Sequence, residues 1–125
     1  MPNDYPRSRR VAEQIKRELS SLIATEVKDP RAALAVVTDV EVSRDLAYAR
    51  VYVSTADLDS DGDGLVSGLT RAAGFLRGRL GTSMRVRTVP ALRFIEDRTE
   101  REAARLDQLI QDAVSEDRRR QGDDE

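Results

Sequence analysis

The sequence predicts an α+β domain: a three-stranded sheet with helices packed on one face. Three observations carry that prediction. Apolar residues recur at helical spacing in three separate segments, period-two alternation marks three others, and Gly, Pro or Asp clusters fall between them. The order is helix, strand, strand, broken helix, strand, helix. At 125 residues the chain is long enough for one domain with one modest core.

The first helix follows from Val11, Ile15, Leu19, Leu22, Ile23 and Val27, which form one apolar stripe. Ser8 suits an N-cap, and Asp29-Pro30 turns the chain out of helix near Lys28. Two strands come next, over 34–43 and 46–55. In the first, Val36, Thr38, Val40 and Val42 alternate with Val37, Asp39, Glu41 and Ser43. In the second, Ala47, Ala49, Val51 and Val53 face one way and Tyr48, Arg50, Tyr52 and Ser54 the other. Only Arg44-Asp45 separates the strands, which points to a tight antiparallel hairpin.

An acidic, glycine-containing loop follows at 57–64. It imitates the start of a calcium loop, but Gly68 stands where a bidentate Glu is required, so it reads as a solvated loop. Leu65, Leu69, Ala72, Ala73, Leu76 and Leu80 make the next helical stripe. Gly74 inside it marks either a kink or a close backbone contact, and Gly81 suits the helix end. The third strand, 84–97, places Met84 and Val86, then Leu92 and Phe94, on one face, with Arg85, Arg87 and Arg93 opposite. Pro90 requires an edge position or a bulge there. A last helix opens near Thr99 and runs through Leu106, Leu109 and Ile110. The domain is expected to span 1–112, with 113–125 an acidic, frayed or disordered tail.

Composition narrows the function. The chain has no Cys and no His, which removes disulfides, thiolate chemistry and the commonest general base and metal ligand. It has no apolar run long enough to span a bilayer and no secretory leader, so a cytoplasmic, non-catalytic protein is expected. Charge is segregated: the whole chain is −2, yet 69–98 hold seven arginines against Glu96 and Asp97. Arginine offers a planar, permanently charged fork suited to phosphate oxygens. Arg71, Arg77 and Arg79 on the kinked helix and Arg85, Arg87 and Arg93 on the third strand are therefore expected to make one RNA-binding surface. Arg7, Arg9, Arg10, Lys16 and Arg17 extend it. Tyr48 and Tyr52 resemble base-stacking platforms, but the acids flanking them favour packing or surface roles.

Five segments in register carry a family resemblance: RSRRVAEQIKRELSSLI, KDPR (28–31), VEVSRDLAYARVYVS (40–54), AAGFLRGRLG (72–81) and RVRTVPALRFIEDR (85–98). Over about residues 6–112 the chain closely resembles ribosome-binding factor A, a bacterial small-subunit assembly factor. That resemblance implies a type II KH-like fold, αββααβ, in which an Ala-x-Gly interhelical kink replaces the GXXG loop of ordinary KH domains. The kink maps onto Ala72, Ala73 and Gly74. The literal GXXG at 78–81 sits too near the third strand to be a nucleotide clamp and reads as a helix end.

The resemblance further implies a monomer that binds the free small (30S) ribosomal subunit. It would contact 16S rRNA, including the 5′-terminal helix region, and assist late maturation and 5′-end processing. No cofactor, metal, membrane or small-molecule substrate is implied. Two other readings stand beside it. One is a carboxylate-metal nuclease built on 57–63 or Glu96-Asp97. The other is a general KH-like RNA-binding or protein adaptor module outside ribosome assembly, using Asp107, Asp112, Glu116 and Asp117.

Overall fold

A computed structural model describes residues 6–55, 62–84 and 88–123. Helix α1 (Pro6–Glu26) begins with proline, whose missing N–H costs nothing in a first turn. Ser8 is consequently buried inside the first turns and is not the cap expected of it. The chain leaves α1 just before Asp29-Pro30, and Pro30 starts a one-turn helix, α2 (Pro30–Ala33). Its turn is closed by Ala32 N donating to Asp29 O at 3.0 Å.

Strands β1 (Ala35–Val42) and β2 (Tyr48–Thr55) pair antiparallel, and β3 (Ala91–Glu96) pairs parallel with β2, giving the order β1-β2-β3. A parallel pair needs a crossover connection. Here α3 (Gly62–Arg71) and α4 (Ala73–Met84) supply it. Strict alternation in β1 fails at one place. A bulge between Val37 and Asp39 lets Val37 and Val40, three residues apart, both turn into the core. Val36 is left exposed as a result. In the hairpin, Ser43 N donates to Tyr48 O, Leu46 N donates to Ser43 O, and Leu46 has φ 63°. That is a turn followed by a left-handed residue, a position glycine usually takes.

All the core-forming helices lie on one sheet face. Ile15, Leu19 and Ile23 of α1, Leu65 and Leu69 of α3, and Leu76 and Leu80 of α4 are almost fully buried against Val51, Val53 and Phe94. Each such side chain contributes about 1.5–3 kcal/mol by leaving water. The stripe of α4 continues past Leu80 to Met84, so the helix does too. Gly81 therefore sits within α4 and does not cap it; a Cβ there would lie 3.4 Å from Val89. The third strand is correspondingly shorter than expected. Residues 85–87 lie outside the described residues, and fully buried Pro90, with no N–H to offer a ladder, precedes the first strand residue. β3 is an edge strand, and Pro90, expected inside it, lies just before it and so imposes neither edge nor bulge on it.

Helix α5 (Thr99–Asp123) leaves the body. Its residues 102–122 are all exposed. It continues through 113–123, where a frayed tail was expected; good helix formers and the Arg120–Glu116 pair at 3.0 Å support the extension.

Candidate nucleic-acid interface

The junction of α3 and α4 is one residue, Ala72, with Ala73 and Gly74 opening the second helix. Helical hydrogen bonding runs through it. Ala72 N donates to Gly68 O (3.2 Å) and Leu69 O (3.1 Å), and Leu76 N donates to Ala72 O (2.9 Å). Gly74 is exposed, and a Cβ added to it would meet nothing within 4 Å. The close backbone approach occurs six residues earlier. A Cβ at Gly68 would lie 3.0 Å from Asp29 Oδ2 and 3.2 Å from Ala32 Cβ, so α2 packs directly on that bare backbone. The GXXG string at 78–81 is continuous helix, which leaves no loop to clamp a nucleotide.

Three arginines of the expected surface brace the fold around this junction. Arg71 Nη2 reaches Asp29 Oδ2 at 3.1 Å. Arg79 grips Glu26 with two bonds, 3.1 and 2.7 Å. Arg77 donates through Nε and Nη2 to the carbonyl of Val89, at 3.0 and 2.8 Å, which ties α4 to the segment entering β3. The Arg71 and Arg79 side chains are still 60% and 51% exposed, and such pairs contribute only about 0–1 kcal/mol. An incoming phosphate can therefore compete for them.

The remaining cations are distributed more widely than one patch. Arg7, Arg9, Arg10, Lys16 and Arg17 are exposed along α1. Arg9 and Lys16, seven residues apart, line a cleft of about 540 Å³ between α1 and the β1 edge, whose other wall carries Asp39 and Glu41. Arg10 and Arg17 occupy a different row of the helix. Arg93 is exposed on β3 beside buried Phe94, so it points to the sheet face that no helix covers, away from Arg71, Arg77 and Arg79. Arg85 and Arg87 lie outside the described residues.

That open face holds a neighbour that alternation in one strand does not reveal. Arg50 and Arg93 are register partners across the β2–β3 pair. Arg50 pairs with Glu41 at 3.4 Å, and Tyr52 OH donates to Glu41 Oε1 at 2.8 Å, which raises the Tyr52 pKa. Tyr52 thus has a surface role. Tyr48 is 67% exposed on the same face.

A second cleft, about 390 Å³, adjoins the kink, with Val27, Ala72 and the half-exposed ring of Phe75 in its wall and Lys28 and Arg71 at its rim. Neither Phe75 nor Lys28 stood out in the sequence as a site residue. Phe75 sits off the helical apolar stripe, and that displacement was the one available signal. Among the described residues no cluster of acidic side chains is placed to hold a metal ion. Most of the 57–63 loop lies outside them.

Sheet order, helix placement and the Ala-x-Gly junction define a KH-like α+β module of the second type, αββααβ with an added C-terminal helix. The family model for ribosome-binding factor A matches residues 7–110. The chain belongs to that family. It is 50% identical over 125 residues to ribosome-binding factor A of Alkalilimnicola ehrlichii, covering 99% of this chain and 96% of that protein. The crystal structure of ribosome-binding factor A from Thermus thermophilus superposes with a TM-score of 0.65 at 30% identity, over 71% of this chain and 93% of that one. A homology model of the Thermus thermophilus factor, fitted into the cryo-EM map of a complex of the 30S subunit with ribosome-binding factor A, aligns with a TM-score of 0.53 at 30% identity. That alignment covers 68% of this chain and 93% of the other.

Proposed function

We propose that this protein is a small-subunit assembly factor that binds the free 30S subunit and assists its late maturation, including 5′-end processing of 16S rRNA. It acts in the cytoplasm as a monomer, by binding RNA and without chemistry of its own. The observation that carries this reading is family membership over nearly the whole chain, together with the likeness to the Thermus relative fitted into the map of a 30S complex of ribosome-binding factor A. The arginines support it physically. Exposed guanidinium groups on α1, at the α3–α4 junction and on β3 suit phosphate and sugar contacts, which position a protein by RNA shape. Residues 1–112 form the RNA-binding part in this reading.

The test is sedimentation of tagged protein with free small subunits and with complete ribosomes across a salt series. Preferential association with free subunits, weakening steeply with salt, is expected because released counterions drive phosphate binding. Salt-insensitive association, or equal binding to both particles, contradicts the proposal. Exposed Leu106, Leu109, Ile110 and Val114 on α5 favour an added protein contact. Truncation after Asp112, which removes Val114 but keeps the other three, tests the far end of that contact: it reduces subunit binding if those turns take part, and leaves it intact if they only keep the helix solvated.

A further inference from the structure

We infer that the cleft beside the kink is a pocket for one unpaired RNA base, stacked on Phe75 with its flanking phosphate held by Lys28 and Arg71. The inference rests on the RNA-binding reading above and adds a requirement for single-stranded RNA at this position.

The backbone makes the first part of the case. In this fold an open loop between the two helices would present free N–H groups to phosphates. Here the junction is reduced to Ala72, whose N–H and carbonyl are both taken up by helical bonds. Any nucleotide at the junction must be held by side chains.

The side chains beside it fit that task. The cleft of about 390 Å³ lies within the usual range of small-ligand sites, about 300–1,000 Å³. Val27, Ala72 and the bare backbone of Gly68 give it apolar walls. Phe75 is 51% exposed, an unusual position for a large ring in a chain with only five aromatics. Bases stack on aromatic rings irrespective of sequence.

One cation at the cleft, unpaired among the described residues, favours a nucleic-acid occupant. The two acids at the cleft are already engaged, Glu26 by Arg79 and Asp29 by Arg71. Lys28 is exposed and has no ion-pair or hydrogen-bond partner among the described residues. The four charged side chains that line the cleft sum to zero, but Arg79 from outside it pairs with Glu26. Lys28 is thus left as an unpaired cation beside an apolar stacking surface, the two features that single-strand binders combine. A hydrophobic peptide would need the first and gain nothing from the second.

The chain contains no Trp, so Phe75→Trp introduces a single fluorophore at the site. The full-length variant is titrated with an unstructured single-stranded RNA and with a duplex of equal length. Wild type, Phe75→Leu, Phe75→Tyr and Lys28→Ala are compared by direct binding to the same two RNAs. Expected are quenching of the tryptophan by single strand only and about a tenfold loss of single-strand affinity in Phe75→Leu. Duplex affinity stays within about twofold, Phe75→Tyr retains binding, and Lys28→Ala gives a smaller loss with a shallower salt dependence. Phe75 is half exposed, so the Leu variant should keep its thermal midpoint. Equal single-strand binding by wild type and Phe75→Leu, or equal losses on both RNAs, overturns the pocket but leaves phosphate reading standing. If wild type binds neither RNA nor the small subunit, the RNA-binding reading falls and the pocket falls with it.

Discussion

Helices α1 and α5 are near twins in sequence pattern and opposites in the folded protein. Both are long, charged and amphipathic, at 21 and 25 residues. Ile15, Leu19 and Ile23 of α1 are 0–1% exposed, whereas Leu106, Leu109 and Ile110 of α5 are 53–60% exposed. The periodicity is a property of each helix; burial depends on what stands opposite. α1 faces β1 and α4, while α5 leaves the end of β3 and no element packs closely on it among the described residues. An apolar stripe identifies a helix, and only a partner turns it into core.

The sharpest way to break that comparison is a matched truncation. Leu19→Ala should destabilise the protein by about 2–5 kcal/mol, the cost of a cavity in a packed core. Chemical denaturation followed by far-UV dichroism measures it. The same exchange at Leu109 belongs at the other end of the scale, and the two together give the size of the difference between the helices.

Next in magnitude is the pair of glycines near the junction. Gly68→Ala pushes a methyl group against Asp29 and Ala32, which form the α2 seat at the end of α1, and should cost about 1–3 kcal/mol. Gly74→Ala meets only open space and should stabilise α4 by about 0.5–1 kcal/mol. Thermal midpoints moving in opposite directions are the expected result.

The connection between body and α5 gives a smaller effect. Asp97 Oδ1 accepts from Thr99 N (3.0 Å) and Thr99 Oγ1 (2.6 Å), and Thr38 Oγ1 donates to Asp97 Oδ2 at 2.7 Å. The Thr99 hydroxyl first, then Thr38, hold this carboxyl below its ordinary pKa. A depressed pKa places the stabilisation above the unfolded value of about 3.9 and removes it as pH falls through the lower folded value. Asp97→Ala should cost about 1 kcal/mol of helix capping at neutral pH. Its difference from wild type should fade below that window, as read by helicity titrated from pH 6 to 2. Last comes Leu109→Ala, expected within about 0.5 kcal/mol of wild type in stability because the side chain is already in water.

Much of the architecture was legible before any coordinates. The hairpin and the order of the main elements followed from alternation and stripe length, whereas neither showed the parallel crossover, and Pro90 lies before β3, not inside it. The bulge at Val37–Asp39 was not legible: one extra residue shifts which side chains face inward without altering composition. Nor was the end of α4, since Gly81 has the residue type of a cap but sits within a helix that Met84 extends. For the candidate site, the kink could be placed from its Ala-Ala-Gly string. The roles of its arginines could not. Arg71 and Arg79 meet acids 42 and 53 residues away, and Arg77 meets a carbonyl 12 residues on.

What the sequence by itself determined is the main elements apart from the one-turn α2, their order, the family and the clustering of positive charge. Those depend on local backbone periods of 3.6 and 2 residues and on residue counts, which need no partner. Only the tertiary structure decided which stripe became core, which arginines brace the junction, that Arg93 lies across the sheet beside Arg50, and that Phe75 walls a cleft with Lys28. Each of these depends on contacts between distant segments, and their geometry exists only once the sheet and its helical layer have closed on one another.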